Sequence, residues 1–236
     1  MFLHIAGTGA MARAIADECK RRKVAYAFWN GAPTETHSGA VVIHVGRKER
    51  LLEAIEWCTK TGTPLIHAAS GLDHVIPDPP TFPVVMAPNL ALRVVEFMEM
   101  VRFFSKAHQL KKNGHGVQIK VSHQLTKMTP PGTAYAIAEL LGLSREAVLV
   151  LQTEEEQRQL GVPDEHLVRH SYHSVLLQSS PDCTIELKVN INGLREHAQG
   201  ALEVAFALDT LRPTLEPGMY SVLYILRKAR KKTVPG

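Results

Sequence analysis

In the first 88 residues, hydrophobic residues occur in short apolar runs and, at 47–62, in an amphipathic segment. The apolar runs predict strands, and the amphipathic stretch at 47–62 predicts a helix that ends at Gly62. The predicted strands lie at 1–6, 24–30, 40–46, 63–71 and 82–89. Strands that alternate with helices indicate a parallel sheet, and ligands of such open sheets lie beyond the carboxyl ends of the strands. We therefore expect the turns after these strands to surround one crevice.

The pattern changes after residue 89. One long helix is predicted over 90–114, with its Met and Phe stripe in the core, and strands at 116–124, 166–178 and 183–191 surround a helix over 133–142. This indicates an α/β fold: an N-terminal Rossmann-like, doubly wound parallel sheet plus a C-terminal α+β domain with an open mixed sheet. The predicted domains are a dinucleotide-binding domain at 1–89, completed by helices at about 200–236, and a substrate-binding and oligomerisation domain at 90–199.

A glycine turn follows the first predicted strand, in the form G-x-G-x-x-A. In a dinucleotide-binding unit Gly7 permits the turn, Gly9 lets a pyrophosphate approach, and Ala12 lets the helix lie close to the strand. Asn30 stands where Asp or Glu reads the ribose in NAD sites, which leaves both NADH and NADPH open as the cofactor. The residues expected to contact it are Gly7, Thr8, Gly9, Ala10, Met11, Ala12, Asn30, Ala68, Ala69, Ser70, Ala87, Pro88, Asn89 and Leu90.

A second candidate site is the segment from His123 to Thr133, which holds a titratable base, an amine and a helix-opening turn. Thr133 is predicted as a first-turn or cap residue of the following helix, whose free N–H groups suit an anion. His123 and Lys127 would stand beside a small carboxylate substrate. The alternative is an ordinary Pro-Pro-Gly turn with solvated side chains. No metal site is expected, and the histidines of 166–178 are predicted to lie on a surface strand, with His173 opposite the others.

Composition narrows the function classes. The chain has 236 residues, 45% of them hydrophobic and 21% charged, which suffices for two domains. It carries no apolar run of membrane length and no signal-peptide pattern, so a cytoplasmic protein is expected. The scattered Cys19, Cys58 and Cys183 favour reduced thiols over a disulfide frame. Much of the net charge of +4 lies in 227–232 without aromatic residues, which favours a solvated segment over a nucleic-acid site.

These motifs resemble the 4-hydroxy-tetrahydrodipicolinate reductase (dihydrodipicolinate reductase) family in order and over most of the chain. The glycine turn with Met11 is similar to the family's Gly-x-Met-Gly element, and MAPNLAL to its Ala-Pro-Asn turn. His123 and Lys127 keep the family's His-x-x-x-Lys spacing, and 131–133 resembles the end of its Pro-Ser-Gly-Thr loop. PDEHLV, Arg195 with AQGAL, and EPGMYSVLYIL resemble the family's Gly-Glu-His strand, its Arg-containing helix and its Pro-Gly-x-Tyr ending.

The resemblance implies a reductase of lysine and diaminopimelate biosynthesis. It would use NADH or NADPH to convert 4-hydroxy-tetrahydrodipicolinate, a cyclic imine dicarboxylate, to tetrahydrodipicolinate. His123 would be the general acid, Lys127 would hold a carboxylate, and Gln124, Gly132 and Thr133 would bind substrate. It further implies a homotetramer paired through the C-terminal sheet, with no nucleic-acid or membrane partner.

The chain also departs from the family. The family's His-His is His123-Gln124 here, the following loop is one residue shorter, and Ala69-Ser70 replaces a Thr-Thr dipeptide. Two alternatives therefore stay open. One is a paralogous reductase of another imine, enamine or carbonyl acid, and the other is a non-catalytic scaffold that kept the fold.

Overall fold

The computed structural model describes residues 1–31, 37–108, 116–124, 130–180 and 182–233. Its strands are β1 (Phe2–Ala6), β2 (Ala25–Phe28), β3 (Ala40–His44), β4 (Leu65–His67), β5 (Pro83–Met86), β6 (Gly116–His123), β7 (Val148–Leu151), β8 (His170–Ser180), β9 (Cys183–Asn192) and β10 (Gly218–Ser221). Its helices are α1 (Ala10–Arg21), α2 (Lys48–Thr61), α3 (Leu92–Ala107), α4 (Gly132–Leu141), α5 (Glu154–Gln159), α6 (Arg195–Leu211) and α7 (Val222–Thr233). Short 3₁₀ turns occupy Asp73–Val75, Arg145–Ala147, Asp164–His166 and Arg212–Thr214.

The chain divides into two compact units. The first unit comprises Met1–Ala91 and Arg195–Gly236, and the second comprises Leu92–Leu194. The sequence placed these divisions at 89 and at about 200.

The first unit contains a six-stranded sheet in the order β10-β5-β4-β3-β1-β2, and every pair of neighbours is parallel. This confirms the predicted Rossmann-like sheet. The inner strands β3 and β4 are buried along their whole length, as continuous apolar runs require, whereas the edge strand β2 is partly exposed. β10, which the sequence did not predict, adds the sixth strand. All carboxyl ends lie at one edge, which brings the turns after β1, β3, β4 and β5 together.

The second unit contains a four-stranded mixed sheet in the order β7-β6-β8-β9, with β6 parallel to β7 and the other pairs antiparallel. Helices α3 and α4 bury one face of it through Phe97, Val101 and Ile137, which pack with Ile119 and Val121 of β6. The mixed sheet covered by helices is thereby confirmed, although β7 was not predicted. Because α4 connects two parallel strands, its N-terminus lies at the carboxyl end of β6.

Helix α3 corrects one expectation of the sequence. Phe97 and Val101 are buried, but Met100 is 53% and Phe103 is 75% exposed. The Met and Phe stripe is therefore only partly core, because a helix turns residues 100 and 103 away from the face formed by 97 and 101. Within the described part of the chain, no helix has the length and apolar character needed to span a membrane.

Candidate functional site

The glycine turn lies between β1 and α1, and its two glycines serve different purposes. A Cβ on Gly7 would lie 3.0 Å from the carbonyl oxygen of Val45, and one on Gly46 would lie 2.9 Å from that of Ala6. Gly7 is thus required by the close approach of the β1 and β3 ends. A Cβ on Gly9, in contrast, would meet nothing within 4 Å. The space in front of Gly9 is open, as the close approach of a ligand to the backbone requires.

The N-terminus of α1 is suited to an anion. Gly9 is its N-cap residue and has extended backbone angles, without a side-chain cap, and the first turn holds no acidic residue. The N–H groups of that turn have no preceding helical carbonyl to bond, and they lie at the positive end of the helix dipole. Ala12 is fully buried, as the predicted close contact of helix and strand requires. Arg13 was not predicted from the sequence. Its Nη1 donates to the Thr8 carbonyl at 3.0 Å, so its guanidinium adds positive charge there.

The other predicted nucleotide contacts divide into two groups. Asn30 is exposed after the edge strand β2, and Ala68, Ala69 and Ser70 follow β4 with at least partial exposure, as do Pro88 and Asn89 after β5. Ala87 and Leu90 are instead buried, with Leu90 only 3% exposed. The Asn89 side-chain oxygen accepts the Ala91 N–H at 2.9 Å and so shapes the turn itself.

Two buried histidines lie at the ends of neighbouring strands, at the same edge of the sheet. They were not predicted from the sequence as site residues. His44 ends β3 and His67 ends β4, and they are paired in register across the parallel strands. Their Nδ1 atoms lie 3.1 Å apart, and their rings stack 5.3 Å apart with 14° between their planes. Each interrupts an apolar run, at 40–46 and at 63–71, and a titratable residue within a predicted buried strand is the signal that could have marked them.

His123 lies at the carboxyl end of β6, in the second unit. It is 7% exposed, and its Nδ1 lies 2.8 Å from the carbonyl oxygen of Ser122. A carbonyl only accepts, so Nδ1 carries a hydrogen and Nε2 is the atom left to exchange a proton. The fully buried Gln157 donates its Nε2 to the His123 carbonyl at 2.9 Å and fixes the end of the strand. Gln157 was not predicted, because it comes from a short helix 34 residues away.

The expectation of histidines on a surface strand in 166–178 is wrong. His166 lies in the 3₁₀ turn Asp164–His166, and on the inner strand β8 His170 is 4% and His173 is 1% exposed. His173 lies on the face that α3 and α4 cover, with Val175 and Leu177, and His170 lies on the opposite face. The His173 ring lies 5.7 Å from that of His123 in an edge-to-face arrangement, and its Nε2 is 3.0 Å from Ser171 Oγ. The structure therefore brings His123 and His173 together.

His170 forms a separate bond on the opposite side of the sheet from His173. Its Nδ1 lies 3.0 Å from the His166 carbonyl, so Nδ1 donates and Nε2 accepts the Ser122 hydroxyl at 2.7 Å. Burial lowers the pKa of His170, which favours this neutral form. The bond ties the start of β8 to the end of β6, next to His123.

Helix α4 begins at Gly132, one residue before the predicted start, and Pro131 is its N-cap residue. Thr133 is consequently in the first turn and is not the cap. The Gly132 N–H already donates to the Pro130 carbonyl at 2.8 Å, so Thr133 and Ala134 offer the first-turn N–H groups for an anion. Gln124 is half-buried directly after His123. Lys127 lies outside the described residues.

Metal-binding geometry is absent from the part of the chain that the structure describes: no three His, Cys, Asp or Glu side chains are grouped to hold an ion.

Comparison with known proteins identifies relatives at low identity. The chain is 28% identical over 186 residues to "Probable 4-hydroxy-tetrahydrodipicolinate reductase 1, chloroplastic" of Oryza sativa subsp. japonica, covering 73% of this chain and 54% of that protein. It is 24% identical over 211 residues to "4-hydroxy-tetrahydrodipicolinate reductase 1, chloroplastic" of Arabidopsis thaliana, covering 84% of this chain and 60% of that protein. The chain thus spans between half and three-fifths of the length of these plant relatives. No protein-family model matches it.

Among solved structures, the chain is similar to a dipicolinate-bound dihydrodipicolinate reductase from Paenisporosarcina sp. TG-14. The TM-score is 0.64 at 11% identity, and the match covers 94% of this chain and 97% of that one. This similarity supports the fold. Together with the names of the relatives, it confirms the predicted resemblance to a divergent reductase of this kind.

Proposed function

We propose that this chain, a divergent relative of the 4-hydroxy-tetrahydrodipicolinate reductases, reduces 4-hydroxy-tetrahydrodipicolinate to tetrahydrodipicolinate with NADH or NADPH, as a step of lysine biosynthesis. The observation that carries the proposal is the placement of His123. Its ring is held at the end of β6 with Nδ1 bonded to Ser122, at the same edge as the first turn of α4. Reduction of an imine dicarboxylate requires a proton donor in a fixed orientation and a group that binds a carboxylate. His123 and the first turn of α4 would supply them.

The first unit supports the nucleotide half of the reaction. Open space in front of Gly9 and the acid-free first turn of α1 fit a pyrophosphate, with the Arg13 guanidinium beside it. Asn30, which follows the edge strand next to β1, would bond a ribose hydroxyl. When bound, the nicotinamide supplies a hydride. The chain's own residues bind and orient the nucleotide.

The second unit supports the proton transfer. The 4-hydroxyl group leaves as water to give a conjugated imine. Addition of hydride to this imine leaves negative charge on the substrate, and a proton must neutralise it. His123 is the proposed donor through Nε2, since its Nδ1 hydrogen is used by the Ser122 carbonyl. The neighbouring His173 ring, 5.7 Å away, limits where the His123 ring turns. Thr133, with the first-turn N–H groups of α4, would hold one carboxylate, and Lys127 would hold the other.

A paralogous substrate is the second candidate, and specific residues favour it. Gln124 replaces a histidine of the family at the position after His123, and it donates hydrogen bonds without carrying charge. Ala69-Ser70 likewise replaces two threonines after β4. These changes fall in the proposed substrate and nucleotide contacts, where they would retune the reductase toward another imine, enamine or carbonyl acid.

The experiment is a spectrophotometric assay of NADH and NADPH oxidation by the purified chain. Freshly generated 4-hydroxy-tetrahydrodipicolinate is compared with a panel of cyclic imines and 2-oxo acids. We expect the highest kcat/KM with 4-hydroxy-tetrahydrodipicolinate, and competitive inhibition by pyridine-2,6-dicarboxylate, its planar mimic. A preference for another acid would establish the paralogous function. Absence of turnover across the panel with both nucleotides would refute the reductase proposal.

A further inference from the structure

His44 and His67 form part of a chain of contacts along the carboxyl edge of the first sheet. His44 Nε2 lies 3.0 Å from the carbonyl oxygen of Arg47, which is the N-cap residue of α2. The two Nδ1 atoms are 3.1 Å apart, and His67 Nε2 lies 3.3 Å from Oδ1 of Asp73, an ion-pair distance without hydrogen-bond geometry. His44 is fully buried and His67 is 1% exposed, whereas the Asp73 side chain is 67% exposed. The turn after β3 is thus connected to the turn after β4 through two imidazole rings.

Counting hydrogens shows what this arrangement requires. The Arg47 carbonyl only accepts and needs an N–H from His44, and the contact between the two Nδ1 atoms needs one more hydrogen. Two neutral imidazoles supply these two hydrogens. The Asp73 carboxylate is attracted to His67 Nε2 only when that atom carries a third. All three contacts are therefore favourable only when the pair holds one additional proton.

The additional proton belongs to His67. His44 lies at the N-terminus of α2, where the helix dipole disfavours positive charge, whereas His67 faces a carboxylate. Burial lowers the pKa of His44 to about 4, and it also lowers the pKa of His67, with Asp73 acting in the opposite direction. The other ionisable groups of the two turns, Arg47 and His74, are exposed. Asp73 is free to turn into solvent when His67 is neutral, which would disconnect the two turns.

We propose that His67 is a proton-dependent positioning residue for the nucleotide. Its protonated form links the turn after β3 to the turn after β4 through Asp73, so that nucleotide binding tightens as the pH falls. The inference rests on the proposed nucleotide site at this edge. Fixing the turns before the nucleotide arrives lowers the ordering cost of binding, and by linkage nucleotide binding then takes up a proton.

The test measures the dissociation constant of NADH by fluorescence titration between about pH 5 and about pH 8, since burial lowers the pKa of His67 below its ordinary value. NADH is the probe because the 2′-phosphate of NADPH titrates in the same range. Calorimetry in buffers of different ionisation enthalpy counts the protons exchanged on binding. For the wild-type chain we expect about five-fold tighter binding at the acidic end, with net proton uptake, since a pKa change of one unit corresponds to a ten-fold change in affinity.

Substitutions at Asp73 separate this mechanism from a general effect of pH. An amide at this position donates an N–H to neutral His67, so Asp73→Asn supplies the third hydrogen at every pH. Asp73→Asn should bind NADH tightly across the range without proton uptake. Asp73→Ala should bind at the weaker alkaline value throughout. The matched control is His74→Gln, which removes the exposed neighbouring histidine and should keep the wild-type pH dependence.

Two results would overturn the inference in distinguishable ways. NADH binding whose strength does not change with pH, or an Asp73→Asn chain that keeps the wild-type pH dependence, would refute the role of His67 and leave the proposed function standing. A wild-type chain that binds neither NADH nor NADPH at any pH would refute both.

Discussion

At the scale of single residues, the two glycines of the turn between β1 and α1 are explained by different physical causes. Gly7 is needed because the backbone of Val45 lies against it, whereas Gly9 faces open space. The spacing in the sequence identified both positions but could not show why each one is a glycine. The difference yields a matched pair of variants.

Gly9→Val should abolish NADH and NADPH binding and leave the fold intact. Its extended backbone angles accept any residue, and a Cβ there has no protein atom within 4 Å, whereas the branched side chain would block the approach of a pyrophosphate. Gly7→Val should instead destabilise the chain by about 1–3 kcal/mol through overpacking against Val45. Fluorescence titration and thermal unfolding of both variants measure these effects. Unchanged nucleotide affinity in a folded Gly9→Val chain would remove the nucleotide site from the glycine turn.

Replacement of His123 and replacement of Lys127 should change different kinetic parameters. His123→Ala should lower kcat by about 10²–10⁴-fold, the range of a general acid. Lys127→Ala should also raise KM, since it removes a charge-assisted bond worth about 1.5–3 kcal/mol in the ground state. Steady-state kinetics with the preferred substrate resolves the two parameters. Wild-type turnover in both variants would reduce the segment to an ordinary turn.

At the scale of elements, buried histidines on the strands of the first unit couple its stability to pH. Burial lowers the pKa of His4 on β1 to about 4, and the nearby His37 acts in the same direction. His44 on β3 is lowered to a similar value. Each pKa is below its unfolded value of about 6.5, so the unfolded chain takes up these protons first as the pH falls.

We expect the free energy of unfolding to be highest above about pH 6.5 and to fall steadily toward about pH 4. A pKa lowered from 6.5 to about 4 corresponds to about 3 kcal/mol for one histidine. His4→Leu keeps the buried position apolar and should flatten this part of the decline. Urea unfolding of both chains at several pH values provides the measurement. An equally steep decline in His4→Leu would show that His4 does not contribute to it.

At the scale of the whole molecule, the face of the second sheet opposite α3 and α4 is the surface through which the resemblance implies a homotetramer. Lys120, Ser174 and Lys188 form one row across β6, β8 and β9 on that face, and Leu149 of β7 extends the row with 44% exposure.

Light scattering at micromolar concentration should return four times the mass of one chain. Lys188→Glu would place a negative charge beside Glu186 on the pairing face and should shift the mass toward smaller species. Lys60→Glu is the control, since it makes the same change of charge on an exposed position of α2 in the first unit. A wild-type chain of monomer mass would contradict the tetramer, and equal effects of both variants would contradict the assignment of the face.

The sequence by itself determined the class of fold and the positions of Gly7, Gly9, His123 and α4. These features depend on local causes: hydrophobic period, turn chemistry and helix capping act between residues close together in the chain. The four-residue strands β7 and β10 were not predicted. Each directly adjoins a helical segment, Arg145–Ala147 before β7 and Val222–Thr233 after β10, so no turn separates it from its neighbour in the sequence.

Only the tertiary structure decided which distant side chains meet. His67 lies against His44 because β3 and β4 pair in register, and His173 lies against His123 because β8 runs antiparallel to β6. Gln157 reaches the His123 carbonyl from a helix beyond β7. Strand register and the burial of an inner strand are set by the packing of the whole sheet, and one residue of slip would turn each of these side chains to the opposite face.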